Sequence, residues 1–158
     1  WWPSPRLLVT ASGTCKTRSK ASTRFWARLL PPGGHGMLNL DTNILVYFLA
    51  GRLWNEEVRV LEDDADWAIS SIVLWELAQL EDLRRFTFRL DDPEPTHLLR
   101  RLRVLPITLE VARTSRRLDF TSDPADEIIA ATSIVYRAHL VTRDATLLAS
   151  TTVPLARR

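Results

Sequence analysis

The 158-residue chain contains a single cysteine, Cys15, so no intrachain disulfide can form and a disulfide-stapled secreted scaffold is excluded. A reducing, cytoplasmic setting is the expectation that follows. Histidine is nearly as scarce. With Cys15, His35, His97 and His139 as the whole complement of thiol and imidazole donors, a zinc site of Cys/His spacing is excluded too. Long hydrophobic runs are also missing: the longest, Ile44 to Ala50, is far too short to cross a bilayer, and no membrane attachment is expected. There is no Gly-rich phosphate loop, no repeat and no low-complexity stretch. The remaining composition, 46% apolar and 25% charged, suits one domain with one core.

Charge is short of one sign at one end. Residues 1–36 carry six basic side chains (Arg6, Lys16, Arg18, Lys20, Arg24, Arg28) and no acid; the first carboxylate is Asp41. From Met37 onward fifteen arginines and no lysine face all nineteen acids, a net of −4 that the overall +2 conceals. The basic, Ser-containing leader resembles a targeting peptide or a nucleic-acid-binding arm in composition. The pattern of a folded unit begins just after Met37, the only methionine. The leader is therefore expected to be an upstream extension, mobile or loosely docked, with the working domain at 37–158.

That domain reads as alternating strand and helix. Leu38–Leu40 is a short strand, and 42–50 is a helix stopped by Gly51. Residues 55–66 form an acidic helix and 67–69 a second strand. Ser70 or Ser71 caps a helix from 72 to 83. The Asp91–Pro95 cluster is a turn, followed by a helix over 96–103 and an extended segment over 104–107. Thr108 caps a helix to about Leu118; Asp123-Pro124 opens another that runs to about Arg137. Leu140–Arg143 is a strand, with a short helix and an edge segment near Val153 after it. Strands alternating with helices predict an α/β domain with a mainly parallel sheet.

Four acids stand where acids are costly. Asp41 closes the first strand, just before the apolar Ile44–Leu49, at the end of a parallel strand where ligands bind; as plain structure it would be a helix cap. Glu76 has Ile72, Val73 and Leu80 as helical neighbours, a costly surround for a carboxylate unless it is paired, protonated or metal-bound; as plain structure it would pair with a residue such as Arg84 on a solvated edge or lie on a narrow exposed strip. In Asp123-Pro-Ala-Asp126, capping accounts for Asp123, which is left structural, but less fully for Asp126 at the third helical position, because Glu127 can serve the helix dipole from an exposed position. Asp144 ends the last strand, where an Asx-turn is the structural role. On a parallel sheet these four acids converge. Close carboxylates raise one another's pKa unless a cation separates them, and an all-oxygen set selects Mg²⁺ or Mn²⁺.

The blocks Leu38-Asn-Leu-Asp41-Thr-Asn-Ile-Leu, Ile69-Ser-Ser-Ile-Val-Leu-Trp-Glu76-Leu-Ala, Asp123-Pro-Ala-Asp126-Glu-Ile-Ile-Ala-Ala-Thr-Ser and Leu140-Val-Thr-Arg-Asp144 resemble the PIN-domain family, and within it the VapC-type toxins of bacterial toxin–antitoxin pairs. The resemblance runs from Met37 to the C-terminus. It implies a three-layer α/β/α sandwich around a short, mainly parallel sheet and a Mg²⁺-dependent ribonuclease. It also implies a homodimer, and a VapB-like antitoxin whose tail occupies the active groove. By the same resemblance Asp41, Glu76, Asp126 and Asp144 take the catalytic, metal-holding positions, with Asn43 and Thr142 as polar supports. Glu127 departs from the pattern, since close relatives often have arginine there.

The expected chemistry is hydrolysis of an RNA phosphodiester, in tRNA or rRNA, with the acids holding the cation and accepting a proton from its water. The arginine runs Arg84, Arg85, Arg89, then Arg100, Arg101, Arg103, then Arg113, Arg116, Arg117 offer phosphate contacts, or simply a solvated face paired with Glu81, Asp82 or Glu110. A PIN-type nuclease of RNA processing or decay is the second enzymatic reading, and the small size without an RNA-binding module favours the toxin. A catalytically inactive RNA- or partner-binding PIN module is the reading from another class. A receiver-like phosphoacceptor domain is poor, for it needs a lysine. Trp54, Trp67, Trp75, Tyr47 and Phe48 are expected mostly in the core, one or two of them at a partner surface.

Overall fold

The structure is a computed structural model that describes residues 36–62, 66–85 and 89–156. The expectations for the basic leader, Cys15 and His35 fall on residues outside the described ones.

Among the described residues four short strands, β1 (Met37–Leu40), β2 (Asp66–Ser70), β3 (Arg103–Leu105) and β4 (His139–Val141), form one sheet in the order β3-β2-β1-β4, with every pairing parallel. Seven helices among the same residues flank it: α1 (Thr42–Leu49), α2 (Asn55–Glu62), α3 (Ser71–Asp82), α4 (Pro93–Leu99), α5 (Leu109–Ser115), α6 (Pro124–Tyr136) and α7 (Ala145–Leu148). The α/β sandwich with a short parallel sheet is thus the one the sequence predicts. β1 sits at the centre, registered Leu38 to Trp67 on one side and Leu40 to Val141 on the other. The chain leaves β1 toward β2 and later returns to β1's other flank with β4. That reversal of strand order opens a crevice outside the carboxyl ends of β1 and β4, where open α/β sheets bind ligands.

The apolar positions that make the strands and helices also make the core. Leu40, Ile44, Leu45, Ile69, Val73, Leu77, Ile129, Leu140 and Leu147 are wholly buried in one cluster. Each such side chain contributes roughly 1.5–3 kcal/mol by leaving water. Phe48 meets Trp67 edge-on at 5.2 Å, tying α1 to β2. Trp67 is therefore core, as expected of most of these aromatics, whereas Trp54 and Trp75 are half exposed, at 52% and 48%, the two that lie at the surface. The polar side of the core is Asn39. It reads as one more residue of an apolar strand, but it is fully buried and its amide donates to the Ile129 carbonyl (3.1 Å) and the Ser133 hydroxyl (2.9 Å), fixing β1 to α6.

Several element ends differ from the sequence pattern, each for a local reason. Asp66, expected as the last residue of the acidic helix, instead opens β2: it pairs with Met37, and its N–H donates to the Gly36 carbonyl (2.9 Å). α4 begins at Pro93 instead of residue 96: Pro93 and Pro95 both fall in the first turn, where a missing N–H costs nothing. It ends at Leu99, which frees Arg103 to enter β3. α5 ends at Ser115, short of Leu118, with the Thr108 hydroxyl accepting from the Val111 N–H as its cap. Ser70 does occupy the N-cap of α3, but its hydroxyl is paired with Thr132 of α6 (3.0 Å) and does not cap. Gly51 takes a left-handed φ of 66° just after α1, the stop its position predicts.

At the end of α6 the left-handed position is held by Arg137, with φ 55° and ψ 38°. A side chain there is strained and glycine is not. Arg137→Gly is expected to raise stability by about 0.5–1 kcal/mol, read as a higher denaturant midpoint at unchanged slope.

Candidate active site

The crevice draws its residues from β1, α1, α3, α6, β4 and α7 or the turns beside them. β1 ends at Asp41, which has an extended backbone and starts α1; its N–H donates to the Val141 carbonyl (3.1 Å), so the ends of β1 and β4 are stitched together at this point. Asp41 is 1% exposed. The Thr142 hydroxyl, one residue past β4, donates to Asp41 Oδ2 at 2.6 Å and accepts from the Asp144 N–H at 3.0 Å. Glu76, in the second turn of α3, receives the Thr42 hydroxyl on Oε2 at 2.6 Å. Asp126, in the first turn of α6, receives the Ser122 hydroxyl on Oδ2 at 2.8 Å. Asp144 caps α7, its Oδ1 accepting from the Thr146 and Leu147 N–H groups. Asn43 is half-buried in the first turn of α1, where its N–H and that of Thr42 help hold the Asp41 charge.

The acids feel one another. Burial pushes Asp41 up to about 6; the Thr142 hydroxyl opposes this and the Asp144 charge adds to it. Burial likewise raises Glu76 to about 7, against the Thr42 hydroxyl and with the charges of Asp41, Asp126 and Asp123. Asp126 rises to about 7 by burial, opposed by Ser122 and reinforced by Asp41, Asp144 and Asp123. Asp41, Glu76 and Asp126, far apart along the chain, thus lie within reach of one another's charge, and Asp144 acts on Asp41 and Asp126. Asp123 has a second part beyond its cap, in which Oδ1 accepts from the Ala125 N–H (2.9 Å): it adds to the field on both Glu76 and Asp126. Sequence reasoning assigned it the cap alone.

Among the described residues no three Asp, Glu, His or Cys side chains already stand as a metal-ligand set. Each of Asp41, Glu76 and Asp126 has one carboxylate oxygen on a neighbouring hydroxyl. The donor chemistry fits a hard divalent cation nonetheless: only oxygens, with Asp41 buried and Glu76 and Asp126 half-buried, each carboxylate raised partly by the others' charge. His139 is at the opposite end of β4 from this crevice.

Glu127 is not the exposed acid that the sequence suggests. It is buried, its Oε1 accepts from the Ser122 N–H (3.2 Å), and Arg116 lies 3.6 Å from its Oε2. Its charge is turned to the loop and to an arginine on the outside. The nine arginines of the three runs are all exposed. Only Arg89, at 4.0 Å from Glu81, and Arg116 make ion pairs among the described residues, so a fully paired solvated face is not what they form.

One feature of the rim escaped the sequence. Arg143, between Thr142 and Asp144, points away from the crevice and grips Glu57 of α2 through Nε and Nη2, both at 2.6 Å. Its guanidinium lies 3.9 Å from the ring centres of both Tyr47 and Trp54. Glu57 is the third helical residue of α2 and also accepts from the Trp54 N–H (2.8 Å), a capping-box geometry that a tryptophan at the cap hides from a search for Ser or Thr.

A family model described as the PIN domain matches residues 39–150. The chain belongs to the PIN-domain family. The match spans all four acids of the crevice. Solved structures agree in fold with this PIN domain: a chain of VapBC2 from Rickettsia felis bound to a promoter DNA fragment superposes with a TM-score of 0.59 at 22% identity, covering 75% of this chain and 96% of that one. A chain of DNA-bound VapBC from Salmonella typhimurium gives 0.55 at 19% identity, with 76% and 96% covered. A chain of a toxin–antitoxin complex from Klebsiella pneumoniae gives 0.55 at 22%, with 71% and 90% covered. Comparison with curated protein sequences gives no match.

Proposed function

We propose that this PIN-domain protein is a divalent-metal-dependent endoribonuclease and acts as the toxin of a VapBC-type pair in the cytoplasm, with 37–158 as its nuclease domain. The observation that carries the reading is the crevice itself. Asp41 is buried, Glu76 and Asp126 are half-buried, and each is raised toward neutrality partly by the others' charge, an arrangement that a structural role does not require and that a captured cation relieves.

Asp41, Glu76 and Asp126 are the residues that would hold Mg²⁺ or Mn²⁺. Asp144 has Oδ1 committed to the α7 cap, so it serves through its other oxygen, through water or through its field. A bound divalent ion supplies phosphate neutralisation and a water of lowered pKa. The chain supplies the rest. Thr142, Thr42 and Ser122 fix the rotamers of the three acids through their hydroxyls. Exposed arginines such as Arg84, Arg85, Arg100 and Arg101 give RNA phosphates a cationic approach despite the net negative domain.

The toxin assignment draws on likeness to chains of toxin–antitoxin complexes. It brings with it a VapB-like antitoxin and a homodimer, for which Leu74, Trp75, Leu83 and Leu109 provide exposed apolar surface. No helix among the described residues is long and apolar enough to cross a membrane.

The test is incubation of the purified chain with tRNA and with rRNA. Discrete internal cleavage in Mg²⁺ that stops on chelation and returns with Mg²⁺ or Mn²⁺ is expected. Cleavage that continues under chelation contradicts the reading, as does intact RNA under every metal condition.

A further inference from the structure

We propose that Arg143 is a positioning residue for the acidic crevice: ion-paired to Glu57 and stacked between Tyr47 and Trp54, it anchors the turn carrying Thr142 and Asp144 and so sets how tightly the site holds a divalent cation. The identity of that cation rests on the nuclease reading above.

β4 is three residues long, and its hydrogen-bond ladder ends at Val141. Beyond it the chain must place two polar groups accurately. Thr142 turns inward to donate to Asp41, and Asp144 turns to cap α7 while its charge reaches Asp41 and Asp126. Arg143 stands between them and turns outward. Its two hydrogen bonds to Glu57, at 2.6 Å each, and a third to the Arg52 carbonyl at 3.1 Å tie this turn to α2 and to the loop before it. Tyr47 of α1 and Trp54 hold the guanidinium plane from its faces, each at 3.9 Å. α1 begins at Asp41, so the same arginine that fixes Asp144 also braces the helix that starts at Asp41.

The pair is nearly buried: the Glu57 side chain is 2% exposed and that of Arg143 15%. Buried ion pairs are often no more stabilising than apolar residues of equal volume, so stability alone is a weak reason for one here. Direction is a better reason. A planar guanidinium with two bonds to one carboxylate and two rings on its faces has one orientation, which a lysine or a leucine would not impose.

The test uses the full chain and Mn²⁺ alone, followed by electron paramagnetic resonance, with a thermal melt of each variant. Removing Arg143 alone takes the positive charge from beside a buried carboxylate, so the informative variant is the double Glu57→Gln/Arg143→Met, which takes away both charges. It is expected to melt cooperatively and to bind Mn²⁺ about tenfold more weakly, the size of loss typical when the groups that orient metal ligands are removed. Glu57→Gln alone, which keeps one acceptor and the stacked arginine, is the second variant, expected to bind more weakly than the parent but less so than the double variant. Wild-type Mn²⁺ affinity in either folded variant overturns the proposal. Failure of both to fold overturns it as well, since the pair would then hold the fold and not the site. Absence of Mn²⁺ binding by the unmodified chain is a different result: it removes the nuclease reading, and this inference with it.

Discussion

Asp41→Asn is expected to abolish RNA cleavage, by at least about a hundredfold, while leaving the metal-free protein as stable as the parent or more so. The two halves of this expectation have one cause. Asp41 is 1% exposed and raised to about 6 chiefly by burial, so at neutral pH the fold carries a charge it would hold more easily as a neutral group. Asparagine keeps the acceptor for the Thr142 hydroxyl (2.6 Å in the parent) and removes the charge. It also removes one of the charges that raise Glu76 and Asp126. The stability gain at pH 7.5 is about 1–2 kcal/mol, seen as a shift of the urea midpoint in chelator. With a cation present the order reverses, for the parent gains from binding and the variant does not. A residue conserving only a helix cap would show neither the reversal nor the loss of cleavage.

The second large effect is on pH. Asp41, Glu76 and Asp126 in the folded chain hold their protons to about 6, 7 and 7, above their ordinary values of 3.8, 4.5 and 3.8. Between these limits the folded state keeps protons that the unfolded state has lost. The contribution of these groups is therefore full below about pH 4 and is lost as pH climbs toward 7. Solvent at the rim of Glu76 and Asp126 screens part of the effect, leaving about 2–4 kcal/mol of decline in metal-free protein. Asp119 works in the other direction. Its carboxylate is held well below the usual range by the Ser150, Thr151 and Thr152 hydroxyls and the Thr151 N–H, so its contribution fails only in stronger acid. The melting temperature in chelator should accordingly fall by roughly 10 °C from about pH 5 to pH 7.5. Mg²⁺ at about a hundred times its dissociation constant should restore about 2.7 kcal/mol at the upper pH and much less at the lower, where the acids are protonated. A melting temperature that rises steadily from pH 5 to 7.5 in chelator would show that the three acids are not raised.

The sequence made much of this visible, and what it hid has identifiable reasons. Asp41 and Asp126 stand at junctions of apolar runs with helix starts, and Glu76 breaks an apolar helix face; such local contrasts can be read without knowing the fold. The parallel sheet then follows from alternation, and convergence of the acids follows from the sheet. Burial of the aromatic residues was harder, because Trp54, Trp67 and Trp75 have similar flanks and only tertiary packing sends one inside and leaves two half exposed. Element ends near proline were misjudged at α4, where Pro93 and Pro95 look like a turn yet satisfy the first turn of a helix. Long-range polar partners were invisible. Arg143 and Glu57 are 86 residues apart, Asn39 and Ser133 are 94 apart, and nothing local marks either as half of a pair. Glu127, where the family resemblance implies arginine, reads from sequence as excess charge at the site. In three dimensions its carboxylate is spent on the Ser122 N–H and Arg116, outside the crevice.

The central claim is that Asp41, Glu76 and Asp126 jointly hold one or two divalent ions. Crystals of the purified chain grown or soaked in Mn²⁺ at neutral pH, with anomalous differences collected, test it most directly. The account predicts Mn²⁺ at inner-sphere distance from carboxylate oxygens of Asp41 and at least one of Glu76 and Asp126, with these side chains swung off their hydroxyl partners. Mn²⁺ bound elsewhere with the three acids still on Thr142, Thr42 and Ser122, or no Mn²⁺ at all at saturating concentration, would contradict it.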